Sequence, residues 1–244
     1  MIALVSTIRS LIMCAFYPVF LLGCSLVFII LNILFASRKL DDRIIRFWAM
    51  GSCKMFGVSV ELTGTENIPA SGCLFLFNHT SFFDIFAISA VLPSIRFGAK
   101  KELFSIPIFG KAMERAGILL IDRADRFEVA KIYEKNRERI SRGEKFALAP
   151  EGARQVDEIL APFKTGPFVF AISARAPIVP IVIKKASVVL SKKSYIPNSD
   201  VLSRTISIEI LKPISTEGYE FESRHDLQKK VYEIMKPYFT IRQV

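Results

Sequence analysis

Histidine is nearly absent from this chain, and charge is wholly absent from one long stretch of it. Two histidines, His79 and His225, occur in 244 residues. Chemistry that needs an imidazole to move a proton near neutral pH therefore has few candidates. Cysteine is sparse as well. Cys14, Cys24, Cys53 and Cys73 stand alone, with no CxxC spacing to suggest a metal knuckle or a dithiol pair, and such usage agrees with a reducing compartment. No metal and no cofactor is expected. There is no G-x-S-x-G elbow, which argues against a serine hydrolase of that type. No repeat or low-complexity segment interrupts the sequence.

The missing charge lies at the start. Between Ser10 and Ser37 the chain reads LIMCAFYPVFLLGCSLVFIILNILFA, without one ionisable Asp, Glu, Lys or Arg. About 20 apolar residues suffice to cross the hydrocarbon of a bilayer, whereas the apolar part of a cleavable signal is only about 7–15 residues long. The segment is therefore read as a membrane anchor. Pro18, Gly23 and Asn32 leave open one tilted span or a bent helical pair sunk into one leaflet. Arg9 precedes it, and Arg38, Lys39, Arg43 and Arg46 follow closely. If the segment spans, that bias puts the rest of the chain on the cytoplasmic side, against the inner membrane in a bacterium. The formal net charge of +10 suits a surface held against anionic lipid headgroups. Nucleic-acid binding, the other usual meaning of a basic chain, fits poorly with so long an apolar segment.

After the anchor, basic residues alternate with Ile44, Ile45, Phe47, Trp48 and Met50, predicting an amphipathic helix over 41–55 with Trp48 at the membrane interface. From residue 58 short β-rich runs alternate with helical stretches. Strands are predicted at 58–62, 73–77, 95–99, 118–121, 146–149, 178–183 and 205–210. Helices are predicted near 82–91, 108–116, 128–142, 167–174 and 225–237. In the third, Val129, Ile132, Tyr133, Asn136 and Ile140 share one face, Asp125 and Glu128 form a cap, and Gly143 follows the end. The alternation predicts an α/β domain, a mixed sheet flanked by helices, over 58–244. Residues 1–57 supply the anchor and the amphipathic helix.

The chemistry-bearing residues gather where predicted strands end, the usual place for ligands in open α/β sheets. After the apolar run Cys73–Phe77 comes Asn78-His79-Thr80-Ser81-Phe82-Phe83-Asp84. A turn there would let Asp84 hold the far nitrogen of His79 while the near nitrogen faces a substrate. The same residues also have the form of a capping box, with Ser81 as N-cap and Asp84 at the third helical position. Gly117 to Arg123 reads as a buried strand ending in an acid and a base, or simply as a surface ion pair. In Pro150-Glu151-Gly152-Ala153-Arg154, Gly152 would let backbone approach a ligand and Arg154 offers a fork suited to phosphate or carboxylate, unless this is only a turn. Pro177 and Pro180 bracket an apolar strand, a pattern common at sheet edges.

In this order, the four segments resemble the signature set of the 1-acyl-glycerol-3-phosphate acyltransferases among the glycerolipid acyltransferases. Asn78-His79 to Asp84 is similar to NHxxxxD, and Gly117 to Arg123 to GxxFIDR with Leu120 at the aromatic position. Glu151-Gly152-Ala153-Arg154 is similar to EGTR with Ala153 for Thr or Ser, and Val179-Pro180-Ile181 to the VPI block. The segments Ala99 to Phe104, Ile106 to Gly110 and Phe163 to Gly166 also look familiar, so the likeness covers about half of the chain.

The resemblance implies transfer of a fatty acyl group from acyl-CoA or acyl carrier protein to the free hydroxyl of a lysophospholipid. That step gives phosphatidic acid in phospholipid biosynthesis. His79 would be the general base, and Asp84 would orient it and support the imidazolium. Arg123, Arg154 and Lys100 would hold the acceptor phosphate, while Asn78, Glu151, Gly152 and Pro180 would shape the site. The Ala153 departure bears on which acceptor is used, another lysolipid or glycerol 3-phosphate being the rivals. Outside that class stand a membrane-bound acyl-hydrolase using the same dyad on water, and a non-catalytic protein that binds anionic lipid.

Overall fold

The computed structural model describes residues 1–92, 94–122, 124–156 and 158–241. It begins with two helices, α1 (Ile2–Phe35) and α2 (Arg38–Met55). The α/β part follows as β1 (Val58–Thr63), β2 (Cys73–Phe77), α3 (Phe83–Val91), β3 (Ile95–Lys100), α4 (Lys101–Phe104), α5 (Phe109–Ala116), β4 (Leu119–Ile121), α6 (Arg126–Ser141) and β5 (Lys145–Leu148). Then come β6 (Ile159–Leu160), α7 (Gly166–Ser173), β7 (Ile178–Lys184), α8 (Ala186–Val189), β8 (Arg204–Ile210), α9 (Arg224–Met235) and β9 (Thr240–Ile241).

Seven strands form one sheet in the order β1-β8-β7-β2-β5-β3-β4, and β6 pairs separately with β9. All neighbours are parallel except β7 and β8. It is therefore a mixed sheet flanked by helices, as the alternation predicts. The carboxyl ends of β2, β3, β4, β5 and β7 consequently lie along one edge. Side chains alternate across the sheet with the period of two that a pleat imposes. Leu74, Leu76, Phe146, Leu148 and Val182 pack with Tyr133, Phe168, Phe170, Leu227 and Val231 of α6, α7 and α9. Cys73, Phe75, Phe77, Val179 and Ile181 pack on the opposite side with Cys53, Phe83, Ala87 and Ile88 of α2 and α3. Covered on both faces, β2 needs no polar positions, which explains its unbroken apolar run. Asp125 accepts hydrogen bonds from Phe127 and Glu128 N–H at the start of α6, the cap the sequence predicts.

Two expectations are corrected. Pro180 does not mark a sheet edge, because β7 lies between β8 and β2. Its carbonyl accepts from Leu211 N–H at 2.9 Å, just beyond the last ladder pair Ile181 with Ile210. The donor that proline lacks thus falls where the antiparallel ladder stops. Trp48 is half-buried. It packs edge-on against Phe86 at 5.2 Å and tilted against Phe109 at 6.4 Å, while Phe47 and Met50 take the exposed positions of α2. Finally, the apolar segment is neither broken at Pro18 nor confined to 10–37, but lies within one 34-residue helix.

The helix α1 has its polarity reversed relative to a helix of a soluble protein. Its buried residues are Ser6, Ser10, Ser25 and Phe28, and its exposed ones include Leu4, Ile8, Leu11, Phe16, Val19, Leu26, Ile30 and Leu34. It is long and apolar enough to cross a membrane. It also touches the rest of the chain along its length. Arg9 donates to Leu202 O and Phe56 O, and Tyr17 OH meets Ser52 Oγ. Asn32 Nδ2 donates to both oxygens of buried Asp41, at 3.1 and 3.0 Å, while its own carbonyl accepts from Arg115 Nε at 2.8 Å. Asn32 is therefore a three-helix clasp among α1, α2 and α5. Gly51 permits the helix crossing, since a Cβ there would meet the Phe20 ring at 2.7 Å.

Candidate active site

The run Cys73–Phe77 ends as a strand because Asn78 turns its side chain back into the sheet. Its Nδ2 donates to Ile183 O at 2.8 Å and its Oδ1 accepts from Ile183 N–H at 2.7 Å. This locks the end of β2 to the end of β7 and delivers His79 to the carboxyl edge. His79 Nδ1 lies 2.8 Å from Asp84 Oδ2, with 12 % of the imidazole exposed and the carboxylate fully buried. The ionised carboxylate can only accept, so the ring proton sits on Nδ1 and Nε2 carries the free lone pair.

The two meanings of this segment turn out to be one device. Asp84 Oδ2 also accepts the backbone N–H of Thr80 and Ser81, at 2.8 and 2.9 Å. One oxygen thus holds both the turn and the imidazole. The cap of the sequence reading is largely present. Asp84 takes Ser81 N–H, and Phe82 is already helical in φ and ψ although the regular helix α3 begins at Phe83, so Ser81 stands at the cap. Ser81 Oγ accepts from Phe83 N–H at 3.2 Å, one residue before the expected Asp84 N–H, and donates to Leu190 O at 2.8 Å. Among the described residues Asp84 Oδ1 is buried with no hydrogen-bond partner, a cost of about 1–3 kcal/mol. The charge-assisted bonds on Oδ2 offset it.

The turn after β5 grips His79 from the other side. Glu151 Oε1 accepts His79 N–H at 2.9 Å and Oε2 accepts Ala161 N–H at 3.0 Å. Gln155 N–H donates to His79 O at 2.7 Å. Both backbone groups of His79 are therefore fixed by one short segment some 70 residues away in sequence. Gly152 allows the turn, with φ +76° and the Lys164 arm where a Cβ would be, its Cε at 2.7 Å. Arg154 lays its guanidinium on the Phe82 ring at 4.0 Å from the centroid, and partial burial lowers its pKa. Stacking fixes the plane of the fork and leaves its in-plane N–H donors for a ligand.

Of the remaining expected site residues, Lys100 ends β3 on the same edge and is exposed. Pro180 lies inside the sheet opposite Leu76, three positions before Ile183, rather than at the rim. Arg123 lies outside the described residues. Three participants went unread in the sequence: Phe82, Gln155 and Lys164. Phe82 left a signal, an aromatic between His79 and Asp84, and in the structure it is 43 % exposed. Gln155 acts only through its main chain and left none. Among the described residues, no three His, Cys, Asp or Glu side chains converge in a way that would hold a metal ion.

Burial moves the Glu151 carboxyl from its usual 4.5 up to about 7, against the opposing pull of its two backbone donors. The folded chain therefore binds a proton there that the unfolded chain has released between those values. Stability from this group is fully present below pH 4.5 and is lost as pH rises through about 7. Denaturation at about pH 5 and about pH 8 should show the advantage of the native chain over Glu151→Gln shrinking by on the order of 3 kcal/mol. An advantage that grows with pH would mean that the two N–H bonds keep Glu151 ionised.

Comparison with known proteins gives the family. A family model described as Acyltransferase matches residues 59–184, just over half of the chain. The chloroplastic 1-acyl-sn-glycerol-3-phosphate acyltransferase of Brassica napus is 34% identical over 146 residues, covering 59% of this chain and 42% of that protein. The 1-acyl-sn-glycerol-3-phosphate acyltransferase of Saccharomyces cerevisiae is 31% identical over 185 residues, covering 74% of this chain and 60% of its own length. The chain thus spans roughly half the length of these relatives. In structure it matches the 1-acyl-sn-glycerophosphate acyltransferase of Thermotoga maritima with a TM-score of 0.82 at 22% identity, over 98% of this chain and 96% of that one. The fold is shared, the family model covers His79, Asp84, Glu151 and Arg154 together, and the chain belongs to the Acyltransferase family.

Proposed function

We propose that the chain is an O-acyltransferase acting on 1-acyl-glycerol 3-phosphate to give phosphatidic acid, with acyl-CoA or acyl carrier protein as donor. One observation carries the reading: His79 Nδ1 is bonded to a fully buried Asp84 carboxylate, so Nε2 is the basic atom. Nε2 takes the proton of the acceptor hydroxyl as its oxygen attacks the thioester carbonyl. Collapse of the tetrahedral intermediate expels the thiolate, and the imidazolium returns the proton to it. Asp84 stabilises the imidazolium between the two steps. No enzyme nucleophile takes part.

Arg154 on Phe82, with Lys100 and Arg123, would receive the acceptor phosphate, while Asn78, Glu151 and Gly152 would hold the backbone around it. Names of the relatives support this acceptor. The anchor 1–57 and the α/β domain 58–244 would work together at the bilayer. A helix of 34 residues is about 50 Å long, well beyond the roughly 30 Å of hydrocarbon. Its contacts with the α/β part run from Arg9 to Asn32. An upright span would drag that part into the hydrocarbon, so α1 is better read as lying within one leaflet. The basic cluster Arg38, Lys39, Arg43 and Arg46 favours the cytoplasmic face.

The phosphate assignment is testable. A charge-assisted hydrogen bond contributes roughly 1.5–3 kcal/mol, so Arg154→Ala should lower kcat/KM by about 10–150-fold. The loss should appear as a raised KM for the phosphate-bearing acceptor, and Arg154→Lys should rescue only part of it. A raised donor KM with an unchanged acceptor KM would move Arg154 to the donor subsite.

A further inference from the structure

The polar segment after α8 contributes nothing to the chemistry above, yet it is the part of the chain tied to both the catalytic turn and α1. At its start Leu190 O accepts from Ser81 Oγ at 2.8 Å, beside Asp84. Its ends are closed by Asn198 N–H donating to Val189 O at 2.9 Å. Asn198 Nδ2 also donates to Phe56 O at 2.7 Å. From α1, Ser6 Oγ donates to Asn198 O, and Thr7 Oγ1 donates to Ser199 O at 2.6 Å. Cys14 Sγ approaches Tyr195 O at 3.9 Å. The loop is thus clamped against the helix whose Leu11, Ile12 and Phe16 are exposed.

What the loop presents outward is specific. Lys192 and Lys193 are exposed and have no ion pair or hydrogen bond among the described residues. Tyr195, next to them, is 93 % exposed. Two free cations and a bare tyrosine beside a helix of exposed apolar side chains match the composition of a membrane interface. There tyrosine settles at headgroup depth and lysine meets lipid phosphate. We propose that residues 190–199 form a foot that binds the headgroups of anionic lipids in the bilayer that holds α1, setting the height of the His79 turn above the membrane. The occupant is the bilayer surface because the foot continues the apolar surface of α1. An acidic protein would use the lysines but would leave Tyr195 and α1 unexplained. The inference rests on membrane attachment by α1 and not on the acyl-transfer reading, so it survives or fails independently of any activity assay.

The test is lysine acetylation, read by mass spectrometry, on the full-length chain in nanodiscs. One set of discs holds phosphatidylcholine alone, and the other includes phosphatidylglycerol. Each basic residue near an anionic surface contributes about fivefold in binding. Acetylation of Lys192 and Lys193 should therefore slow by about fivefold or more when phosphatidylglycerol is present. Lys135, exposed on α6, should react equally in both sets. Equal rates at Lys192 and Lys193 in the two sets would overturn the proposal. Rates insensitive to phosphatidylglycerol but slowed by added acyl carrier protein would overturn it too, and would make the loop a protein-docking surface.

Discussion

His79→Ala should abolish nearly all acyl transfer while leaving the protein folded. The imidazole carries a basic lone pair at the strand edge, and a positioned general base is worth about 10²–10⁴-fold in rate. A kcat loss of at least that order is expected. The fold should tolerate the change, because the grip on this residue is through its backbone: Glu151 takes its N–H and Gln155 gives to its carbonyl, and alanine keeps both. Asp84 would retain its bonds to Thr80 and Ser81 N–H. Steady-state kinetics with a thermal melt on the same sample separates the two effects. A variant that keeps kcat within about tenfold would remove His79 from the chemistry.

Asp84→Asn should be nearly as costly in rate and more costly in stability. The asparagine carbonyl could still accept the three donors now on Oδ2, but the amide nitrogen would then occupy the buried site of Oδ1, where nothing accepts from it. Flipped, it would face three N–H groups. Either way the imidazolium formed in the transition state loses its counter-charge. The same change in the carboxylate of a Ser-His-Asp triad lowers kcat by about 10⁴, and a loss of about 10³–10⁴ is expected here. A melting temperature lowered by the equivalent of about 1–3 kcal/mol should accompany it. Near-normal turnover with only the stability loss would leave Asp84 a structural residue that fastens a turn.

Much of this arrangement is written in local pattern, and the rest depends on distances that no local pattern carries. The unbroken run of β2 followed by Asn78 and His79 announces a buried strand that ends at a ligand edge. Asp125, Tyr133, Ile140 and Gly143 mark α6 from cap to stop. Their signals are local and obey the periods of strand and helix. Pro180 misleads because the rule about prolines and sheet edges concerns unpaired donors, and a ladder that stops at Ile210 supplies one inside the sheet.

The grip of Glu151 and Gln155 on His79 could not be read from the chain. It joins positions some 70 residues apart and uses main-chain atoms, which carry no residue identity. The two-residue strands β6 and β9 are too short to show any period. The polarity of α1 was hidden differently. Its serines look like flaws in an apolar span, but they are among its buried positions, and Ser6 bonds to Asn198 of the α/β part.

The destination of the acyl group separates transfer from hydrolysis. Purified full-length protein, given 1-acyl-glycerol 3-phosphate with acyl-CoA or acyl carrier protein and followed by mass spectrometry, should form phosphatidic acid and free thiol in equal amounts with one of the two donors, and His79→Ala should form neither. Free fatty acid equal to the thiol released, with the lysolipid unconsumed, would contradict acyl transfer and make the His79–Asp84 pair a hydrolytic dyad acting on water.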